Sequence, residues 1–300
     1  MADGPPVSPG VAGRSRPAGR PGRGRIPTDQ LATPPKMTPA RTPSTRPDWH
    51  FEDRVVVVTG AARGLGAAIA AAFGAAGARV ASIDVAPLDG AANPVAPSRG
   101  GAGPAPALAL VADVTDHDAV EAALARVQDA LGAPDVLVAN AGIAVRGPAT
   151  DVPPEAFARV VDVNLNGLFW CNRLAARRMA GRGGAIVNLA SVMGLSGGLF
   201  PNAAYQASKG AVVNLTRALA LEWAARGIRV NAVAPNYVDT PLTEPVFSDP
   251  QRLATVLAHA PLGRLPSPDD VAQAVLFLAS DAAACVTGHV LAVDSGYLAR

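Results

Sequence analysis

From residue 54 onward the chain alternates short, unbroken apolar runs with longer stretches whose apolar positions recur every three to four residues. The runs at 54–58, 79–83, 107–111, 135–138, 185–189, 228–233 and 290–293 have the length and Val/Ile/Leu/Ala content of buried strands. The first is followed by a glycine-rich turn over 59–66 and an Ala-rich helix to Ala76, with Gly77 as its C-cap. A helix over 116–131 aligns Val120, Leu124 and Val127 on one face. Long helices are expected over 153–179, where Pro153 and Pro154 suit the start, and over 203–226, ended by Gly227. A last helix over 268–280 opens on Ser267 as N-cap. Strands that alternate with helices predict one α/β domain, a seven-stranded parallel sheet covered by helices on both faces.

Two stretches break the rhythm. Residues 86–106 should hold the crossover helix that parallel neighbours need. Prolines and a glycine cluster leave little room for it, so a mobile loop is expected. Residues 1–48 are rich in Pro, Gly, Arg, Ser and Thr and carry a net charge of +5, leaving −3 on 49–300 of the +2 chain. This extension is expected to be disordered and dispensable, with Met37 as a candidate true start. The mildly acidic body argues against nucleic acid as its partner. No apolar run of ~18 residues exists to cross a membrane. Two cysteines, Cys171 and Cys285, make neither a disulfide scaffold nor a metal cluster, so no metal and a reducing, cytoplasmic setting are expected.

The turn after the first strand reads Thr59, Gly60, Ala61, Ala62, Arg63, Gly64, Leu65, Gly66. At a helix start such a turn aims backbone N–H groups at a phosphate. Gly60 permits the tight turn, Gly64 lets a pyrophosphate approach, and Gly66 lets helix and strand pack. Asp84 ends the second strand, where a carboxylate binds the ribose of a dinucleotide. The plain alternative is that Asp84 only caps the strand.

Tyr205 and Lys209 stand four apart on one helical face, and Ser191 follows the fifth strand. A phenol with a free pKa of ~10 is a poor base at neutral pH, and a neighbouring ammonium favours its ionised form. With these motifs in order, the chain resembles the short-chain dehydrogenase/reductase superfamily, in its TGxxxGxG and YxxxK branch, over about 52–298. Asp113 and Val114 match its adenine-binding turn, and Asn140, Ala141 and Gly142 match the cofactor-lining motif after the fourth strand. Asn164 matches the catalytic asparagine and Ser191 the catalytic serine. Pro235 and Val238 lie in the turn after the sixth strand, and Thr240 matches the residue beside the nicotinamide carboxamide.

The resemblance implies a Rossmann-like, doubly wound fold and hydride transfer between nicotinamide C4 and a secondary alcohol or ketone, such as a small polyol, sugar acid or 3-oxoacyl compound. It implies that Tyr205 exchanges the proton, Ser191 hydrogen-bonds the substrate oxygen, Lys209 lowers the Tyr205 pKa and binds the ribose, and Asn164 holds a relay water. It also implies a homotetramer or homodimer through the two long helices, whose Phe169, Trp170, Val212, Leu215, Leu219 and Trp223 exceed what one sheet face needs. Asp84 favours NAD(H) by repelling a 2′-phosphate, while Arg63 keeps NADP(H) open. The family's Pro-Gly turn is Pro235-Asn236 here, and Asn is the next-best residue for a left-handed φ. A loop over 241–261 is expected to cover the pocket with Thr243, Glu244 and Ser248, facing Met193, Leu199, Asn202, Gln206 and Arg146. Arg146 reads as a carboxylate ligand or a solvated loop charge. The rival function is a dinucleotide sensor without turnover.

Overall fold

The computed structural model describes residues 49–88 and 107–299. The expectations for 1–48 and for most of the 86–106 loop lie outside these residues. Seven strands form one parallel sheet: β1 (Val55–Thr59), β2 (Arg79–Asp84), β3 (Leu108–Val111), β4 (Val136–Ala139), β5 (Gly184–Leu189), β6 (Ile228–Pro235) and β7 (Val290–Val293). Their order is β3-β2-β1-β4-β5-β6-β7. The chain winds outward one way from β1 and then the other from β4. The crevice between those two strands, at their carboxyl ends, is where such a sheet receives a ligand.

The central strands are buried on both faces, which is why they read as unbroken apolar runs. In β1, Val55 and Val57 join one core and Val56 and Val58 the other. The first core is closed by α2 (His117–Leu131), α4 (Leu168–Arg178) and α5 (Ala203–Trp223), through side chains such as Leu124, Leu174 and Val212. The second is closed by α1 (Gly64–Ala75) and α8 (Pro268–Ala279), through Ile69, Phe73 and Val275. Each fully buried side chain of this size contributes about 1.5–3 kcal/mol. The helix ends follow their capping residues. The Asp116 carboxylate accepts from the N–H groups of Asp118 and Ala119, and Ser267 forms a reciprocal capping box with Asp270. Gly77, just past α1, has φ 87°.

The structure corrects four expectations. The helix over 153–179 is three pieces: α3 (Pro154–Val161), a π-helical turn (Asp162–Gly167) and α4. The pocket-covering loop contains two helices, α6 (Glu244–Phe247) and α7 (Pro250–Ala258). Asn236 does not take a left-handed φ, so the turn after β6 runs differently from one built on glycine. Finally, Val212, Leu219 and Trp223 are buried within the chain, in the core under α5. The large apolar side chains of these helices that are not fully buried include the exposed Phe157 and Leu221 and the partly buried Phe169, Trp170 and Leu215.

Candidate active site

A cleft of about 570 Å³ opens over the carboxyl ends of β1, β2, β4, β5 and β6. The residues assigned to catalysis or cofactor binding from the sequence all border it except Gly66 and Asn164. Its floor at one end is the glycine turn. Gly60 and Gly64 have φ of 65° and 59°, the region that favours glycine. A Cβ on Gly60 would lie 2.7 Å from Ala141 Cα, and one on Gly66 only 2.0 Å from the Gly60 carbonyl oxygen. Asn140 braces the turn from β4: its Nδ2 donates to the carbonyls of Thr59 (2.9 Å) and Gly60 (3.0 Å). Asp84 is held in place at both oxygens. Its Oδ2 accepts from Ala62 N–H at 2.8 Å and its Oδ1 from Ala86 N–H at 3.0 Å.

Further along, Asp113 is tied to its own turn and to α3. It accepts from Thr115 N–H (2.9 Å) and hydroxyl (2.8 Å) and pairs with Arg159 at 3.2 Å. Desolvation pushes its carboxyl up, but the bonds from Thr115 and Arg159 outweigh that and hold it below the ordinary aspartate value.

At the other end of the cleft Tyr205 meets Ser191. The serine side chain lies beside the phenol, on which it acts to lower the pKa, and its Oγ accepts from Met193 N–H at 3.2 Å. Lys209, one turn on in α5, is buried and places Nζ 5.7 Å from the Tyr205 ring centroid while donating to the Leu189 carbonyl. Desolvation dominates both groups. It lowers the Lys209 pKa to about 8 and raises that of Tyr205, against the opposing Ser191 bond and Arg146 charge. Burial thus outweighs the neighbouring groups at Tyr205, opposite in direction to the depression expected from Lys209.

Asn164 lies behind the cleft, fully buried in the π-helical turn. Its Oδ1 accepts from Ile143 N–H (2.8 Å), and its Nδ2 donates to Ile143 carbonyl (2.9 Å) and Ser208 Oγ (3.0 Å). Both donor hydrogens are thus spent on clamping the β4 loop to α5, a positioning role for the side chain. A π turn inside an α-helix is frequent at functional sites because it re-aims one residue.

Beyond Ser191 and Tyr205 a side cavity of about 50 Å³ leads off the cleft. Of the residues expected there, Arg146, Met193, Asn202 and Thr243 line it. Glu244 borders the main cleft, whereas Leu199, Gln206 and Ser248 line neither. Arg146 donates to the Leu242 carbonyl. Sequence reasoning missed Phe200, Tyr237, Val246 and Arg252 in this wall. A signal for the last was present: Asp249 before Pro250 is an N-cap followed by a first-turn proline, and its carboxylate accepts from Gln251 and Arg252 N–H. A second hollow of about 500 Å³ lies at the opposite, amino ends of β4, β5 and β6 and holds none of the expected site residues.

The glycine cradle, Asp84 and the cleft between them fit a dinucleotide. The family model described as enoyl-(acyl carrier protein) reductase matches residues 60–298. The chain belongs to the short-chain dehydrogenase/reductase family. Among its relatives is a cis-4-hydroxycyclohexanecarboxylate dehydrogenase of Sinomonas cyclohexanicum, 47% identical over 83% of this chain and 98% of the relative. A galactitol 2-dehydrogenase (L-tagatose-forming) of Cereibacter sphaeroides is 45% identical over 83% of this chain and 96% of the relative. A crystal structure of a candidate NAD(P)-dependent gluconate 5-dehydrogenase from Beutenbergia cavernae, with bound NADP at low occupancy, superposes with a TM-score of 0.75. It is 42% identical and is covered completely by 84% of this chain. This dehydrogenase/reductase is accordingly an oxidoreductase acting on CH–OH groups with a nicotinamide cofactor.

Proposed function

We propose that the protein interconverts a small secondary alcohol and its ketone with NAD(H) as preferred cofactor, Tyr205 moving the proton. The observation that carries this is that Ser191, Tyr205 and buried Lys209 border one end of a cleft whose other end holds Asp84. When bound, the nicotinamide supplies the hydride acceptor or donor at C4. In oxidation the Tyr205 phenolate would take the alcohol O–H proton, the carbinol hydrogen would leave as hydride to the nicotinamide, and the carbon–oxygen double bond would form. Ser191 would hydrogen-bond the reacting oxygen, Lys209 would hold the nicotinamide ribose, and Asn164 positions the β4 loop against α5. The raised Tyr205 pKa keeps the phenol protonated at neutral pH, ready to donate in ketone reduction; positive charge entering the cleft lowers it for alcohol oxidation.

The cofactor preference rests on Asp84. Unit like charges 4 Å apart repel by ~4 kcal/mol at an effective dielectric of ~20, and a 2′-phosphate carries more than one. Arg63, exposed in the glycine turn, is the opposing influence and the reason NADP(H) remains the alternative. Steady-state kinetics on a panel of secondary alcohols with each cofactor tests both parts. Higher kcat/KM with NAD is expected, higher kcat/KM with NADP refutes the preference, and binding without turnover across the panel favours the sensor. The reading includes a homo-oligomer built on α3, α4 and α5, where Phe157 and Leu221 are exposed. It also includes a catalytic domain over 49–300 that does not need 1–48, and a cytoplasmic setting in keeping with the free Cys171 and Cys285.

A further inference from the structure

Three buried polar side chains join the helix that carries Tyr205 and Lys209 to the strand that leads to Ser191. Asn172 of α4, Asn188 of β5 and Thr216 of α5 are each 0% exposed. Asn172 Nδ2 donates to Asn188 Oδ1 at 2.9 Å, and Asn188 Nδ2 donates to Thr216 Oγ1 at 3.0 Å. Thr216 Oγ1 in turn donates to the Val212 carbonyl at 2.8 Å. This last bond sets the direction of the whole series. The hydroxyl has one proton, given to Val212, so toward Asn188 it can only accept. The Asn188 amide therefore turns its nitrogen to α5 and its oxygen to α4, and Asn172 must answer with its own nitrogen. Asn172 Oδ1 is left buried and unpaired. An orphaned oxygen destabilises the fold, and apolar side chains would fill the same space without that cost. What such a series supplies instead is a fixed arrangement of the elements it joins.

Lys209 and Thr216 stand seven residues apart, two turns along one face of α5. They bond to consecutive residues of β5, Lys209 to the Leu189 carbonyl and Thr216 to the Asn188 side chain. Ser191 lies two residues beyond Leu189. The turn after it touches α5 backbone to backbone, since a Cβ on Gly194 would lie 2.5 Å from the Lys209 carbonyl oxygen. The Asn164 clamp reaches Ser208, but it ties α5 to the β4 loop rather than to β5. Much of the remaining core here is apolar, with Val212, Val213 and Ala190 among its members. Such packing has no direction and loses uniqueness before it loses stability. A slide of one residue along α5 is about 1.5 Å, and a misplacement of that order disrupts a transfer between groups that must meet at hydrogen-bond distance. We propose that Asn172, Asn188 and Thr216 are positioning residues that fix the register of α5 along β5 and so keep Tyr205 and Lys209 in line with Ser191.

This rests on the oxidoreductase reading above, and the test separates the two. Single-turnover rates and KM are measured on the full-length protein with the secondary alcohol that the wild type turns over fastest. Rates are normalised to NADH-binding sites counted by fluorescence titration, so that unfolded protein does not enter them. Thr216→Val keeps the shape and removes the acceptor; the rate per site should fall about tenfold, with KM and NADH affinity within about twofold of wild type. Thr216→Ser keeps the hydroxyl and should restore the rate to within about twofold. Asn172→Ala should also slow the rate. Combined with Thr216→Val it should add little, because both act through Asn188. A wild-type rate per site in Thr216→Val, even with a lower melting temperature, overturns the assignment and leaves the oxidoreductase reading standing. So does a Thr216→Ser variant as slow as Thr216→Val, or a double variant in which the two losses multiply. No turnover by the wild type with either cofactor contradicts both.

Discussion

Burying the Lys209 ammonium against a single carbonyl partner is a cost that folding must carry. Its pKa falls to about 8 from an unfolded value near 10.4, so below pH 8 both states hold the proton and the full penalty applies. Between pH 8 and ~10.4 the unfolded chain holds more protons than the folded one, and stability rises with pH. The difference is on the order of 3 kcal/mol. Lys209→Met, which keeps the length and removes the charge, should therefore be more stable than the wild type at pH 7 by up to about that amount. The gap should close toward pH 10.5. Denaturant melts at pH 7 and pH 10 check this, and a gap of equal size at both pH values contradicts it. The same balance explains why the sequence misled about Tyr205. Spacing alone shows Lys209 beside the phenol, but not that burial pushes the pKa of Tyr205 up and that of Lys209 down.

Among elements, the turn between β1 and α1 was legible because its glycines stand in close sequence order between a strand and a helix, although Gly60 packs against Ala141, far along the chain. Gly66 illustrates the tolerance. Gly66→Ala places a methyl 2.0 Å from the Gly60 carbonyl, so the helix must shift off β1. A loss of about 1–3 kcal/mol and a weakened cofactor affinity are expected, measured by thermal melts and titration with NADH. Unchanged values of both would contradict the packing role. The π-helical turn was not legible, because what fixes it is the clamp of Asn164 on Ile143, 21 residues away in sequence. Periodicity reports a helix through 153–179 and cannot report a one-residue slip imposed by a tertiary contact. Nor did it separate α6 and α7 from loop, since Pro245 and Pro250 read as breakers although both stand in first turns.

At the scale of the molecule, the alternation of strands and helices was enough to predict the seven-stranded parallel sheet. Which helix faces stay outside was harder: an apolar stripe does not say whether sheet or partner covers it, and Trp223 and Leu219 proved to be covered by this chain's own core. The oligomer is accordingly expected to form on the smaller set of Phe157, Phe169, Trp170 and Leu221. Light scattering at micromolar concentration should give a dimer or tetramer, and a Leu221→Glu variant should shift it toward smaller species; a monodisperse wild-type monomer contradicts this. The central claim concerns what the assembled site does, that the Tyr205 oxygen carries the proton of a nicotinamide-dependent alcohol–ketone conversion. The most direct measurement is Tyr205→Phe, with single-turnover rates on the best alcohol of the panel and NADH affinity by fluorescence in the same preparation. The account predicts a rate loss of at least a hundredfold with NADH affinity within a few-fold of wild type. A near-normal rate in Tyr205→Phe would contradict it.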